Sequence, residues 1–383
     1  MKTTQLRYDP HAGWSATENN DGKLSDSQLV LLFGDRMLLD AAAIEPIRRR
    51  FPDARVVTCS TGGEIFGDHV VDNSLVATVL RFDDTDIVAV EKELDGPAQS
   101  FASGYALARQ LPVDRLRHVL LFSEGINVNG SALADGLAKG LPPDVTVTGG
   151  LAADGERFQK TLIGLDQPPA SGRVVAVGLY GDRLRVGMGS LGGWESVGDP
   201  ILVTRSEGNV LFELDGKPAL PLYKQLIGAH AYGLPASGLL YPLNVLSTRP
   251  GESGVVRTLL SVDEKANSLT FAGDLPEGRS VQLMKANLDR LIDAAGGAAS
   301  RSLDSLQASK PDFVLLVSCI GRKLLLQRRT EEEIQSARKV FGPQATFAGF
   351  YSYGELSPMT PSARCELHNQ TMTITTLSET AAS

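Results

Sequence analysis

The strongest constraint on this fold is an alternation of short apolar runs with helical ones, joined by short links. Gln28 to Phe33 reads as a buried strand. Leu38 to Arg50 carries Leu39, Ala42, Ile44 and Ile47 at near-helical spacing and reads as a helix that ends before Pro52. Arg55 to Cys59 returns as a strand. A strand, helix, strand order of this kind implies parallel pairing through a right-handed crossover, and hence an α/β sheet.

The next stretch adds antiparallel pairing. Ser74 to Phe82 and Ile87 to Leu94 are two β-rich runs separated by Asp83-Asp84-Thr85-Asp86, which is turn chemistry, so they read as a hairpin and the sheet as mixed. A helix from Ala98 to Leu111, a strand at His118 to Phe122, a helix at Ser131 to Leu141 and a strand at Val145 to Thr148 complete a ββαβαβ unit. The same order recurs with different side chains between Val255 and Phe350. There, 255–262 and 268–271 read as a hairpin, 281–295 as a helix, 313–318 as a strand, 331–341 as a helix and 346–350 as a strand. We read this as a duplicated unit, the alternative being that α/β proteins reuse such units freely. If the units superpose, Gly149 to Asp154 falls on Gly349 to Glu355, Ser123 to Asn127 falls on Ser318 to Arg322, and a pseudo-two-fold cleft is the expected ligand site.

A chain of 383 residues is longer than one hydrophobic core usually serves, which agrees with a two-domain mixed-sheet protein. Residues 1–26 form a polar leader anchored by Tyr8 and Trp14, and 378–383 a tail. The strand-rich stretch from Arg173 to Phe212 extends the first sheet, and Leu220 to Pro242, with Pro221, Pro235 and Pro242, is the expected joint between a first domain at 27–218 and a second at 219–377.

Composition removes several classes of function. The net charge is −8, against the basic face that a nucleic-acid binder needs. No run approaches the roughly 20 apolar residues of a membrane span, and the N-terminus lacks a secretory apolar core. With Cys59, Cys319 and Cys365 at long spacings, the expectation is a cytoplasmic protein without a disulfide framework or a zinc motif. There is no phosphate loop and no Gly-x-Ser-x-Gly elbow.

Ligands of open α/β sheets sit beyond the carboxyl ends of parallel strands. Five loops fall there: Ser60-Thr61-Gly62-Gly63-Glu64, Ser123-Glu124-Gly125-Ile126-Asn127, Gly149-Gly150-Leu151-Ala152-Ala153-Asp154, Ser318-Cys319-Ile320-Gly321-Arg322, and Tyr351-Ser352-Tyr353-Gly354-Glu355. Glycines and small hydroxyls there let a backbone approach a ligand closely, or simply make tight turns. Glu64 and Glu355 are expected to face inward, where their carboxylates can accept hydrogen bonds. Cys319 beside Arg322 reads either as an activated thiol with His368 as base or as a structural cysteine. The five histidines are scattered singly. His230, between glycines and apolar residues at the joint, could present its ring to an apolar cavity or be a satisfied histidine at a helix end.

Four of these motifs, Cys59-Ser60-Thr61-Gly62-Gly63-Glu64-Ile65, Gly149 to Asp154, Gly349 to Leu356 and His368-Asn369-Gln370-Thr371-Met372, together resemble the FIST family, as an N-terminal and a C-terminal FIST domain from about Gln28 to Leu377. The resemblance implies a sensory module of bacterial signal transduction with no catalytic activity, binding a small ligand at the loops just quoted. The residues taken as ligand-binding are Ser60, Thr61, Gly62, Gly63, Glu64, Gly150, Asp154, Cys319, Arg322, Tyr351, Ser352, Gly354 and Glu355. With no output domain expected after Leu377, the chain would act on a separate histidine kinase or cyclic-di-GMP enzyme. Stand-alone FIST proteins of the NosP type are haem-binding nitric oxide sensors, which makes haem the expected cofactor and His230 its axial ligand, with His368 and His69 in reserve. The competing readings are a sensor for an amino acid or similar metabolite, held by Glu64, Asp154, Arg322 and Glu355, and a cysteine-dependent enzyme using Cys319.

Overall fold

A computed structural model describes residues 1–16, 24–248, 254–306, 310–360 and 363–381. The expected strand, helix, strand unit is present: Leu29–Gly34 pairs in parallel with Arg55–Ser60 through helix α1 (Ala41–Arg50). Every residue of Leu29–Gly34 is buried, as befits a strand covered on both faces. The Asp40 carboxylate caps α1 by accepting from the Ala43 amide. Leu75–Arg81 lies antiparallel on the other side of Leu29–Gly34, and Lys2–Asp9 beyond it. The expected leader is therefore largely a sheet strand: Leu6 is fully buried, and Tyr8 and Trp14 pack on the α1 side.

This arrangement occurs three times. In the second unit, helix α2 (Ser100–Gln110) precedes the parallel pair Leu116–Ser123 and Thr146–Leu151, which is joined by α3 (Gly130–Gly140) and flanked by antiparallel Arg173–Tyr180 and then Asp86–Glu93. The duplicated order found in the sequence is its relation to the third unit. There, Phe313–Cys319 and Thr346–Ser352 run parallel, flanked by Met372–Glu379 and then Leu184–Leu191. The register brings Ser123 and Ser318 to equal places, and Gly149 and Gly349 likewise. Both are glycines for one reason: a Cβ would collide with the carbonyl oxygen of Leu121 or of Leu316 on the neighbouring strand.

The three units exchange strands in a closed ring. Glu64–Phe66 leaves the first unit and pairs with Thr346–Ser352 of the third. Gly354–Ser357 leaves the third and pairs with Thr146–Leu151 of the second. Ile163–Leu165 leaves the second and pairs with Arg55–Ser60 of the first. The pairs Glu64 with Phe350, Glu355 with Gly150 and Ile163 with Cys59 occupy the same register position, so the exchange follows a pseudo-three-fold axis. One phenylalanine from each sheet meets there, with the Phe33 ring 5.8 Å from Phe122 and 4.7 Å from Phe350.

Residues 195–285 form a separate lobe between Leu184–Leu191 and α5 (Leu288–Ser305). Its strands make a second, antiparallel sheet system around helix α4 (Ala219–Ile227), with its own core of Val203, Leu211, Tyr223, Leu269 and Phe271. Two expectations change here. The hairpin at 255–271 belongs to this lobe rather than to the third unit, whose outer strand is Leu184–Leu191. The run 281–295 divides into a strand, Ser280–Lys285, and the start of α5, because Asn287 caps a new helix with its side chain. The third unit also inserts α6 (Ile320–Leu326) before its crossover helix α7 (Thr330–Phe341). No helix among the described residues is long and apolar enough to cross a membrane.

Candidate functional site

The ring of exchanged strands brings loops of all three units to one place. A cleft of about 380 Å³ is lined by Asp35, Thr61, Gly62, Gly63, Glu64, Asp72 and Asn73 of the first unit, Asp154 to Arg157 of the second, and Ile320, Lys323 and Leu324 of the third. It lies at the carboxyl ends of parallel strands, where the sequence places it, but between three units rather than across a two-fold.

Glu64 is 1% exposed and held by two hydroxyls: Thr61 donates to Oε1 at 2.6 Å and Ser74 to Oε2 at 2.8 Å. Burial, aided by Asp72, raises its pKa to about 8 against the lowering effect of the hydroxyls and Lys323. Asp154 is fully buried and faces Arg36 Nε at 3.1 Å, while the amides of Gln159 and Lys160 and the Tyr353 hydroxyl donate to it. Arg157 closes over this wall to reach Asp35 at 2.8 Å, and Phe158 stacks on Tyr353 with ring centroids 4.6 Å apart. From the opposite wall Lys323 donates to the Gly62 carbonyl at 2.7 Å and pairs with Asp72. Gly63 has φ +131, and a Cβ there would run into the Lys323 ammonium.

Five of the thirteen expected residues, Thr61, Gly62, Gly63, Glu64 and Asp154, thus line the cleft. The others serve the scaffold. Ser60 stitches in the exchanged strand, its hydroxyl accepting from the Leu162 amide at 2.8 Å. Gly150 lies under Phe350 on the pseudo-three-fold axis, where a Cβ would sit 2.7 Å from Val317. Arg322 is fully buried and turned away: it grips Glu333 from Nε at 3.0 Å and Nη2 at 2.8 Å, and reaches the carbonyls of Gly192 and Leu291, each at 2.7 Å. Tyr351 donates to the same Glu333 at 2.7 Å. Ser352 donates to Glu355 Oε1 at 2.7 Å, and Thr371 donates to Oε2 from its amide at 3.1 Å and its hydroxyl at 2.9 Å. Glu355 is thereby inward-facing and satisfied by its own unit; burial raises its pKa to about 7. Gly354 packs on Leu367 and Leu151. The Cys319 thiol is buried, which pushes its pKa up, and it does not line the cleft.

None of the three histidines expected to hold a haem iron, His230, His368 and His69, lines the cleft. His230 is exposed on the inserted lobe, its ring 4.9 Å from that of Tyr241, away from the cleft. His368 is buried with Nε2 on the Ser357 carbonyl at 2.8 Å, and burial lowers its pKa to about 4. His69 is exposed and paired with Glu331. The joint containing His230 lies within the inserted lobe, not between the loops.

Sequence reading missed Asp35, Arg157 and Lys323. Asp35 directly follows the strand Leu29–Gly34 and was open to the same strand-end rule that found Glu124 and Cys319 at equal positions. Arg157 and Lys323 enter only through the packing of one unit on another.

Comparison with known proteins agrees with this layout. The FIST N domain model matches residues 28–217 and the FIST C domain model residues 219–358. An uncharacterised protein of Mycobacterium tuberculosis is 25% identical over 350 residues, covering 86% of each chain. One of Methanocaldococcus jannaschii is 23% identical over 81% of this chain and 65% of its own length. Another, of Mycobacterium bovis, is 26% identical over 60% of this chain and 59% of its own. The 218/219 boundary between the two matched models is not a structural divide, because strands from before it complete the third unit's sheet and strands from after it complete the second's. Two FIST models in tandem, matching most of the chain and supplying every wall of the cleft, establish that this protein belongs to the FIST family, whose domains are sensory domains of signal transduction.

Proposed function

We propose that this chain is a sensory protein whose cleft takes a small amino-bearing metabolite, such as an amino acid, and reports occupancy to a separate partner, a histidine kinase or cyclic-di-GMP enzyme. The observation that carries the reading is the convergence of three units on one cleft lined by Asp35, Glu64, Asp72, Asp154 and Glu156 together with Arg157 and Lys323, with Arg36 against Asp154. An acid-rich wall suits a ligand ammonium, while Lys323 and Arg157 are the groups able to receive a carboxylate. Because each wall belongs to a different unit, a ligand touching all three changes their relative stability, which is the differential interaction a sensor needs.

Calorimetric titration with a panel of amino acids tests this. Binding of at least one, weakened about tenfold or more by Asp35→Asn or Lys323→Met, is the expected result. No binding by any member of the panel overturns it. The haem reading places the iron on His230, whose ring lies 4.9 Å from that of Tyr241, or on His368 or His69. A Soret band on haem addition that is lost in His230→Ala would replace the metabolite with haem and a diatomic gas.

A further inference from the structure

A second cleft, of about 260 Å³, lies where the inserted lobe meets the second unit and the strand exchanged into it. Arg257 stands on its lobe side and is 5% exposed. Its partners are all carbonyls: Asp274 at 3.1 Å from Nε, and Val256 at 3.3 Å and Leu367 at 2.8 Å from Nη1. Nη2 has no hydrogen-bond partner among the described residues, and burial lowers the pKa of the group to about 10. The Asp274 and Glu366 carboxylates act on this guanidinium through space without a hydrogen bond to it, and the cost of burying it falls further when an anion meets its open edge. Across the cleft, Ser131 in the first turn of α3 has a buried hydroxyl that is likewise unpartnered among the described residues.

The remaining charge is mostly acidic, with Arg279 as the second cation. Asp135 lies one turn along α3, and its carboxyl is pushed up by burial and by Asp274. Glu366 also lines the cleft, and Arg279 there is committed to the Leu246 carbonyl. A simple anion would gain Arg257 but meet these carboxylates, and a simple cation would gain the carboxylates but leave Arg257 as it is. Among the described residues no cluster of histidine, cysteine or carboxylate has a metal-binding arrangement. A molecule with one charge of each sign satisfies both walls.

We propose that this cleft is a second binding site, for a small dipolar carboxylate, with the anionic group on Arg257 and Ser131 and the cationic group beside Asp135 and Asp274, and that filling it clamps the inserted lobe to the three-unit body. The inference is independent of the ligand proposed for the first cleft, with which this one shares no residue.

The test uses the full chain and four ω-amino acids, glycine, β-alanine, 4-aminobutyrate and 5-aminopentanoate, with butyrate and butylamine as single-charge controls. Calorimetry reads affinity, and amide exchange of Val255, Val256, Glu366 and Leu367 reads clamping. At least one ω-amino acid should bind about tenfold or more tightly than either control and slow exchange at those amides. Asp135→Asn, at an exposed position, and Ser131→Ala, at a half-buried one, should each weaken it severalfold, while Asp35→Asn in the first cleft leaves the slowed exchange at those amides unchanged. The proposal fails if no ω-amino acid binds, if the controls bind as well, if Asp135→Asn and Ser131→Ala bind like the parent, or if Asp35→Asn abolishes the signal.

Discussion

The loops Thr61–Glu64 and Ser352–Glu355 are the same device put to different uses. Each carries a hydroxyl residue that donates to a glutamate three positions on, and each glutamate accepts again from a hydroxyl residue leading into the antiparallel strand, Ser74 in one and Thr371 in the other. Each glutamate lies in a strand lent to another unit. The differences lie around them. Where the first unit has Gly62, the third has Tyr353; where the first has exposed Asp72 and Asn73, the third has Asn369 at 1% and Gln370 at 0% exposure. One loop borders a cleft and the other is packed shut. Glu355 therefore belongs to the scaffold, while Glu64, in the same local arrangement, also lines the cleft, so binding depends on what surrounds each glutamate.

The contrast is broken most severely through the third unit's buried pair. Arg322 and Glu333 are both fully buried and tie α6 to α7, which holds Lys323 over the first cleft. Glu333→Ala leaves the guanidinium and the Tyr351 hydroxyl unpaired, and should cost about 3–5 kcal/mol in urea unfolding. A cost below about 1 kcal/mol would mean that α6 is held by something else.

Next comes the pH response of the two glutamates. Both have folded pKa values above those of an unfolded chain, about 8 for Glu64 and about 7 for Glu355, so they favour the folded state at low pH and lose that contribution as pH rises through those values. His118 and His368 act oppositely. Burial lowers them to about 3 and about 4, so they disfavour folding as pH falls below about 6.5. Between pH about 6.5 and 8 these two glutamates make stability decline while the two histidines no longer change it. Glu355→Gln should flatten the decline only up to about pH 7, whereas Glu64→Gln should flatten it across the whole window, read from chemical unfolding at stepped pH. A parent chain with constant stability across the window would show that both carboxyls ionise freely.

Gly150→Ala tests the axis that makes the loops comparable. Its Cβ would lie 2.7 Å from Val317 and 3.2 Å from Phe350, so an overpacking cost of about 1–3 kcal/mol is expected. Gly62→Ala, whose Cβ meets the flexible end of Ile320 at 2.6 Å, should cost less. Equal costs would remove the distinction between an axial glycine and a cleft glycine.

How much of this could be read from the sequence follows from the range of the interactions. The apolar runs and the ββαβαβ order are local, and they gave the α/β class and two of the three units. The first unit escaped comparison because it lacks the helix that α2 and α5 supply elsewhere, and its outer strand, Lys2–Asp9, alternates weakly enough to look like a leader. Glu64 and Asp154 were legible as polar residues at strand ends. Arg322 carries the same signal, yet it points at Glu333, and nothing local to Ser318–Arg322 shows that α7 brings a carboxylate there. His230 was placed at a boundary by its prolines, but the chain makes a whole lobe around it.

The smallest expected effect separates the two loops most directly. Tyr353 fills the third unit's counterpart of the Gly62 position, and its hydroxyl crosses to Asp154 and to the Gly155 carbonyl at 2.8 Å, while its ring carries Phe158. The residue that closes one loop therefore also holds a wall of the other's cleft. Tyr353→Phe keeps the ring and the stack and removes only the hydroxyl, a change of about 0.5–1.5 kcal/mol. Asp154 retains Arg36 and the Gln159 and Lys160 amides, so global unfolding should shift by no more than that. Local opening should rise instead, with faster amide exchange at Phe158, Gln159 and Lys160 and no change at Glu355 or Thr371. Faster exchange at Glu355 as well would mean that the hydroxyl supports the shut loop itself, and that the two loops are coupled rather than merely alike.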